Sequence, residues 1–241
     1  MKKIHMDPKY FEVLDSANDE KNYFTDVILK LKSVINLDDA MLLDVGCGTG
    51  KFIAPILKFS TPKIIGVDGT TGVADRAIAR GYKDVKVVDD LSNIVLPFEE
   101  ESFDCVISKD VFEHLYDPLF TLNEIYRVMR MGGIFLFHVP NHFPLIGRYR
   151  FLLNNQLDTF SYFQDESRWE FPHIRFYEYF DNISILNNAG FEIVEDLSHL
   201  FPAIPILHRF KMFNSLSRWI INQFPNQFSE AYTLLLKKVS K

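Results

Sequence analysis

The stretch LLDVGCGTG, from Leu42 to Gly50, decides the fold of this 241-residue chain. An apolar run ends at Val45, and glycines follow at alternate positions, beginning with Gly46 and Gly48. A glycine directly after a strand can take a tight turn, and the next one lets the backbone approach a ligand closely. A helix that begins nearby points its free N–H groups into the same crevice. The stretch therefore predicts a ligand site at the carboxyl end of a strand.

Two aspartates beside this loop narrow the kind of ligand. Asp44 lies two residues before the first glycine, where a carboxylate suits a cationic ligand and not a pyrophosphate. Asp68 ends the next apolar run, 22 residues after Gly46, and an acid there can accept both hydroxyls of a ribose. The alternative role of Asp68 is to cap the helix that follows it. The glycine spacing, G-x-G-x-G, also differs from the G-x-G-x-x-G of dinucleotide binders.

Outward from this loop, short apolar runs alternate with helical patterns. The runs are nearly continuous, which is typical of strands covered by helices on both faces. We therefore expect a single α/β domain over 1–241, with a Rossmann-like sheet of seven strands and helices on both faces. The predicted strands are MLLDV, KIIGVD, VKVVDD, SFDCVIS, GIFLFHVP, FEIVEDLS and AYTLLLKKV.

Helices are predicted before and between these strands from apolar spacing and capping residues. In DPLFTLNEIYRVMRMGG, Asp117 caps, Pro118 takes the first turn, Leu119, Leu122, Tyr126 and Met129 face inward, and Gly132 ends the helix. The others are Tyr23 to Ile35, a helix that carries Phe52, Ile53, Ile56 and Leu57, TTGVADRAIARG with a threonine cap and Gly81 as its end, and YEYFDNISILNNAG.

Composition excludes several classes of protein. The net charge of -6 argues against a general nucleic-acid binder. Cys47 and Cys105 have no metal-binding or disulfide spacing, which favours core positions and a cytoplasmic location. No stretch of about 18 apolar residues predicts a spanning helix. The N-terminal residues lack the apolar run of a signal peptide.

The segments VGCGTG, GVD, VVDD and LPFEEESFDCVIS, with the MRMGG that follows a helix, resemble the class I S-adenosyl-methionine-dependent methyltransferases. The resemblance is to the branch related to ubiquinone-biosynthesis and surface-glycan methyltransferases, and covers Met41 to Val139, with weaker agreement from His173 to Val194. It implies a mostly parallel sheet whose last strand runs antiparallel between its neighbours. It also implies S-adenosyl-L-methionine as cofactor, and methyl transfer to an oxygen, less often a nitrogen, of a small-molecule or sugar acceptor.

The same resemblance implies a role for each residue of the cofactor-binding half, 41–139, which follows the N-terminal helices of 1–40. Two extra residues before LPF leave the adenine partner open between Asp89 and Asp90. The implied contacts are Asp44 and the backbone of Gly46, Cys47 and Gly48 on the methionine part, Lys109 along the same side, Asp68 with Gly69 on the ribose, and Asp90 with Leu91 around the adenine.

Candidate acceptor-side residues lie in three short segments. In DVFEHL, Asp110, Glu113 and His114 would share one face of a helix. The ubiquinone-related branch carries a similar pattern, which can hold a divalent metal. Packing and capping explain the pattern without a metal, and we expect none. His142 in PNHF, and His173 and Arg175 in PHIRFYEYF, are further candidates to face an acceptor. Because histidine titrates near neutral pH, His114 and His173 are the candidate catalytic residues. The alternative for His173 is that it fixes a lid to the domain.

Two insertions, 140–176 and 197–229, are expected on the substrate side. The second insertion has no acidic residue, and both insertions carry basic residues. This charge pattern suggests an anionic or lipid-linked acceptor. Residues 203–224 fit a peripheral membrane contact, a cover helix or a homodimer contact. The apolar stripe of the second insertion is Ile206, Phe210, Phe213, Leu216, Ile220 and Phe224, with Trp219 beside it. The basic residues of the two insertions are Arg148, Arg150, Arg168, Arg175, Arg209, Lys211 and Arg218.

Two rival classes of function remain. One is a nicotinamide oxidoreductase, which Asp44 and the glycine spacing disfavour. The other is a non-catalytic S-adenosyl-methionine-binding protein.

Overall fold

The strands of this protein form one sheet in the order β3-β2-β1-β4-β5-β7-β6. The structure is a computed structural model that describes residues 23–53, 56, 60–70, 72–154, 173–203 and 214–241. All seven predicted strands are present in this part of the chain. Their bounds are β1 Met41–Val45, β2 Lys63–Asp68, β3 Asp84–Val87, β4 Phe103–Lys109, β5 Met129–Pro140, β6 Phe191–Asp196 and β7 Ala231–Lys238.

Strand directions follow the predicted pattern. β1 pairs in parallel with β2 and β4, β2 with β3, and β4 with β5. β7 runs antiparallel to both of its neighbours, β5 and β6, which confirms the predicted place of the last strand. The chain proceeds outward from β1 to β3 and then returns to β4 on the other side of β1. Ligands bind at such a reversal, beyond the carboxyl ends of the strands.

Helices and turns connect these strands. The helices in the described part are α1 Tyr23–Val34, α2 Ala74–Ala79, α3 Pro118–Val128, α4 Leu145–Asn154, α5 Tyr179–Asn188, α6 Asn214–Gln223 and α7 Pro225–Phe228. Two 3-10 turns, Phe112–His114 and Ser198–Leu200, lie between them. No helix within the described ranges has both the length and the apolar character needed to cross a membrane.

The core consists of two apolar clusters, because alternate side chains of a strand point to opposite faces of the sheet. On β1, Leu43 and Val45 belong to the cluster that also holds Leu122 of α3. Leu42, the residue before Leu43, belongs to the other cluster, which holds Ile28 of α1. Helices therefore cover both faces, as the near-continuous apolar strands predict.

The predicted end of α3 is wrong by four residues. Asp117 caps the helix, since its carboxylate accepts from the Phe120 N–H at 3.0 Å, and Pro118 takes the first turn as expected. The helix stops at Val128, however, because Met129 is already paired with Phe103 in the sheet. Leu119, predicted to face inward, is 53% exposed.

Two other local predictions also fail. The N-cap of α2 is Val73, with no side-chain capping bond, so no threonine caps this helix. In the segment after the glycine loop, Ile53 and Ile56 are buried as expected, but Phe52 is 41% exposed. Predictions for 1–22, Leu57, 155–172 and 204–213 lie outside the described residues, and these include Arg168, Ile206, Arg209, Phe210, Lys211 and Phe213.

Candidate functional site

The glycine loop crosses the carboxyl end of β2. The N–H groups of Gly46 and Cys47 both donate to the carbonyl of Val67, at 2.8 and 3.0 Å. Gly46 and Gly48 have φ angles of 74° and 49°, in the left-handed region that favours glycine. A Cβ on Gly46 would lie 2.2 Å from Cγ2 of Val111, so the turn also needs glycine for close packing.

Asp68 holds this loop from the end of β2. One carboxylate oxygen accepts from the Gly48 N–H and the other from the Thr70 N–H, both at 2.8 Å. Because α2 begins only at Ala74, Asp68 is not its N-cap. The Thr70 hydroxyl also bonds to this carboxylate. A carboxylate has about four acceptor positions, so these three bonds still leave room for a ligand. The start of α2 at Ala74 thus excludes the alternative role of Asp68 as a helix cap.

Asp44 is a buried carboxylate beneath the loop. The hydroxyl of Tyr82 donates to it at 2.5 Å. Burial raises the pKa of Asp44 to about 7, the Tyr82 hydrogen bond opposes this rise, and the charge of nearby Asp68 adds to it. A cationic ligand would stabilise the charged form. No sequence pattern pointed to Tyr82, whose ring lies 2.7 Å from where a Cβ of Gly50 would be.

The predicted ribose and adenine residues lie at the adjoining ends of β2 and β3. The Val88 N–H donates to the Asp68 carbonyl at 2.9 Å, and a Cβ on Gly69 would lie 3.4 Å from the Val88 carbonyl oxygen. Asp90 accepts from the Ser92 N–H at 2.8 Å, and Leu91 packs against the first core cluster. The fold thus brings this predicted set to one edge of the sheet.

Lys109 and Asp110 form an ion pair at the end of β4. The Lys109 ammonium also lies 3.9 Å from the centroid of the Phe52 ring, and His138 Nε2 lies 3.4 Å from the second oxygen of Asp110. Burial would raise the pKa of Asp110, but the charges of Lys109 and His138 outweigh it and lower that pKa to about 2. Asp110 is therefore ionised at neutral pH. His138, a buried residue of β5, is a partner of Asp110 that was not predicted from the sequence.

The predicted helix face of Asp110, Glu113 and His114 is wrong. Asp110 has a φ angle of 54°, and only Phe112–His114 form a 3-10 turn. Asp110 faces Lys109 and His138, whereas Glu113 lies in the core of the protein with no exposed surface. The i, i+3, i+4 spacing requires a continuous α-helix, which this segment does not form.

Three histidines meet above Glu113. His142 Nε2 lies 2.6 Å from His173 Nδ1, and the rings of His114 and His173 have centroids 4.8 Å apart. His114 Nε2 is 4.0 Å from Oε1 of Glu113. Among the described residues, neither carboxyl oxygen of Glu113 has a hydrogen-bond partner. The ligand atoms of Glu113, His114 and His173 lie within 4.8 Å of one another, so this trio, and not Asp110, could hold a metal ion.

Burial sets the protonation of this cluster. It raises the pKa of Glu113 well above its usual value, with the charge of Asp110 adding to the rise. It also lowers the pKa of His173 to about 3, with smaller effects from His114 and His142. At neutral pH, His173 is consequently a neutral imidazole and a weaker base than an ordinary histidine, and Glu113 is held towards its protonated form.

The segment that carries His173 is bonded to the 3-10 turn. The Ile174 and Arg175 N–H groups donate to the Glu113 carbonyl at 2.9 and 3.1 Å, and the Tyr177 hydroxyl donates to the Phe112 carbonyl at 2.9 Å. The Arg175 guanidinium bonds the carbonyls of Leu115 and Tyr116. These bonds fix the segment. The expectation that Arg175 faces an acceptor stays a prediction, since its exposed side chain also lines a cavity with Tyr116 and Leu119.

Comparison with known proteins supports the interpretation of the glycine loop as part of a methyltransferase domain. A family model described as a methyltransferase domain matches residues 43–137. A probable S-adenosylmethionine-dependent methyltransferase of Mycolicibacterium smegmatis is 30% identical over 157 residues, which are 65% of this chain and 53% of that protein. The chain spans between about a third and somewhat over half of the length of the first curated relatives that it matches.

Solved structures share the fold. A methyltransferase of Aquifex aeolicus aligns with a TM-score of 0.59 and 16% identity, covering 97% of this chain and 99% of that one. A putative methyltransferase of Haloferax volcanii, solved with the Trm112 activator, aligns with a TM-score of 0.61 and 18% identity, covering 92% of both chains. The strand order, the glycine loop with its two aspartates and these matches together make the chain similar to the class I S-adenosyl-L-methionine-dependent methyltransferases, with the domain match at residues 43–137.

Proposed function

We propose that this protein transfers the methyl group of S-adenosyl-L-methionine to an oxygen, less readily a nitrogen, of a small-molecule or sugar acceptor. The observation that carries the acceptor side is the contact of His142 with His173 above the buried Glu113. In this displacement the sulfonium supplies the methyl group and leaves as a thioether. A bond forms between the acceptor oxygen and the methyl carbon, and the hydroxyl proton passes to a base.

His173 is the proposed base, with His114 as the second catalytic candidate. Its pKa near 3 makes the imidazole of His173 a weaker base than the near-neutral histidine expected from the sequence. It also keeps the ring neutral across the physiological range, without charge repulsion towards the methyl donor, so the assignment rests on the position of His173. His142 would hold the His173 ring in place through their 2.6 Å contact. Loss of methyl transfer on substitution of His173 tests this assignment.

The cofactor would lie along the carboxyl ends of β1 to β4. Asp68 supports this placement because its carboxylate keeps acceptor positions for a ribose beside Gly69, and Asp44 because its buried charge needs a cation. The proposed contacts are those implied by the family resemblance: Asp44, Gly46, Cys47, Gly48 and Lys109 on the methionine part, Asp68 and Gly69 on the ribose, and Asp90 and Leu91 around the adenine.

The affinity for S-adenosyl-homocysteine should rise with pH up to about pH 7 and then level off. Asp44 titrates at about pH 7 in the free protein, and the ammonium of the ligand favours the ionised carboxylate. Binding below pH 7 must therefore release a proton from Asp44, which costs affinity as the pH falls. Calorimetry in buffers of different ionisation enthalpy measures both the affinity and the proton release.

Two variants control this pH dependence. Tyr82→Phe removes a hydrogen bond that lowers the pKa of Asp44, so the rise in affinity should move to higher pH. Asp44→Asn should weaken binding and remove the proton release. If binding by Asp44→Asn keeps the wild-type pH profile, another group carries it and Asp44 is not the cation site.

Treatment with a chelator should leave methyl transfer unchanged. Glu113 favours its protonated form, and Asp110, whose charge acts on Glu113, already forms an ion pair with Lys109. A metal ion would require Glu113 to be ionised. It would also require the ligand atoms of Glu113, His114 and His173, now within 4.8 Å of one another, to move closer together. The measurement is the rate after dialysis against a chelator, with and without added magnesium or zinc. Activity that disappears and returns with one metal would contradict this expectation and make Glu113, His114 and His173 its ligands.

The acceptor is proposed to be anionic or lipid-linked, brought by a peripheral contact with a membrane through 203–224. In the described part of this segment, three large apolar side chains are each more than half exposed: Leu216 and Trp219 in α6, and Phe224 directly after it. Arg218 is exposed beside them. Apolar and basic side chains together fit an anionic lipid surface.

Arg218→Glu should weaken sedimentation of the full chain with vesicles that contain phosphatidylglycerol, because it replaces attraction by repulsion. Lys63→Glu, an exposed charge change at the opposite end of the sheet, is the matched control and should have no effect. If wild-type protein ignores these vesicles and Arg218→Glu instead abolishes a homodimer, α6 is an interface between two copies.

A further inference from the structure

A cavity of about 400 Å³ opens beside the histidine cluster, on the insertion side of the sheet. Its wall includes Phe143 and Arg148, which follow β5, and Phe176 and Glu178, which follow His173. Phe176 joins the cavity to the cluster, because its ring centroid lies 4.9 Å from that of His142. The cavity therefore adjoins the proposed base.

Two exposed aromatic rings form one wall of this cavity. Phe143 is 40% exposed and Phe176 is 61% exposed, and their ring centroids are 5.7 Å apart. Exposed phenylalanines that pack side by side offer apolar area to a ligand with a flat apolar face. Their position suits a ring that stacks next to His142.

Two side chains of opposite charge also line the cavity without neutralising each other. Among the described residues, no ion pair joins Arg148 and Glu178. Arg148 uses only Nε, which donates to the Phe143 carbonyl at 2.8 Å, and its two terminal nitrogens have no protein partner in the described part. Glu178 accepts from the Asn226 amide with one oxygen. A guanidinium fork without a partner suits a carboxylate or a phosphate, and the second oxygen of Glu178 suits a hydroxyl donor.

We infer that this cavity is the acceptor subsite, and that it takes a ring that carries both an anionic group and a hydroxyl. The anion lies on Arg148, the ring on Phe143 and Phe176, and a hydroxyl on Glu178. This inference rests on the proposed function, which supplies the reaction, and it adds the substrate class. Sugar acids and aromatic hydroxy acids share this chemistry, and their rings distinguish them.

Calorimetric titration of the full chain saturated with S-adenosyl-homocysteine tests the subsite directly. The probes are glucuronate against glucose, and para-hydroxybenzoate against phenol. We expect the anionic member of at least one pair to bind about tenfold more tightly than its neutral partner, as for one charge-assisted hydrogen bond. The pair that shows the preference identifies the ring as a sugar or an aromatic one.

Arg148→Gln should abolish that preference and leave the affinity for S-adenosyl-homocysteine unchanged. Arg150→Gln, an exposed arginine on the same helix α4, is the matched control and should keep it. Phe176→Ala should weaken the anionic and neutral members of the pair alike. Binding of no probe, or a preference that survives Arg148→Gln, would overturn the inference. Because the readout is binding, an Arg148-dependent preference would stand even if His173 proved not to be the base.

Discussion

Replacing His173 with alanine should lower kcat by about a hundredfold to ten-thousandfold, the usual contribution of a positioned base. The imidazole is neutral at working pH and is held by His142 at 2.6 Å, so its loss removes the proton acceptor without exposing a charge. Cofactor affinity should change little, because His173 lies on the acceptor side. The measurement is the release of S-adenosyl-homocysteine with the hydroxylated acceptor that wild-type protein methylates fastest.

Two further variants make this prediction specific. His199→Ala removes another buried imidazole, from the 3-10 turn Ser198–Leu200, and should keep most of the rate if only the His173 cluster acts in proton transfer. His142→Ala should lower kcat by an amount similar to His173→Ala, because groups that act as a unit have effects that do not add. A rate that stays at the wild-type level in His173→Ala would place the base elsewhere.

Replacing Asp68 with alanine should weaken binding of S-adenosyl-homocysteine by about tenfold to a hundredfold or more. Hydrogen bonds to a charged group contribute about 1.5–3 kcal/mol, and each 1.4 kcal/mol is about tenfold in affinity. The variant also leaves the Gly48 and Thr70 N–H groups without their acceptor, so the glycine loop loses its anchor. Calorimetry measures the affinity, and thermal unfolding of the free protein measures the effect on the loop.

The matched control is Asp84→Ala, at the opposite end of the β2–β3 pair, where the carboxylate forms an exposed ion pair with Lys86 at 2.7 Å. It should leave the affinity unchanged. The same titrations with a nicotinamide dinucleotide address the rival class. Tighter binding of the dinucleotide than of S-adenosyl-homocysteine, or normal affinity in Asp68→Ala, would contradict the assignment of the ribose site.

The fold and the cofactor half of the site could be predicted because their signals are local. Each strand is an apolar run, and the loop from Gly46 to Gly50 is read from spacing alone. Asp44 and Asp68 needed only their places at two strand ends. Where prediction failed, a distant contact competed with a local pattern. α3 ends early because Met129 pairs with Phe103, and that pairing is not visible in the helical spacing.

The acceptor side depended on tertiary structure instead. The sequence by itself determined which residue types were present, His114 in one segment, His142 in another and His173 in a third. Only the fold decided that they meet, because the Ile174 and Arg175 N–H groups bond to the Glu113 carbonyl across some 60 residues of chain. It also paired Asp110 with Lys109 and His138. Such contacts join residues far apart in sequence, so their geometry follows from the packing of whole strands and helices and not from any local pattern.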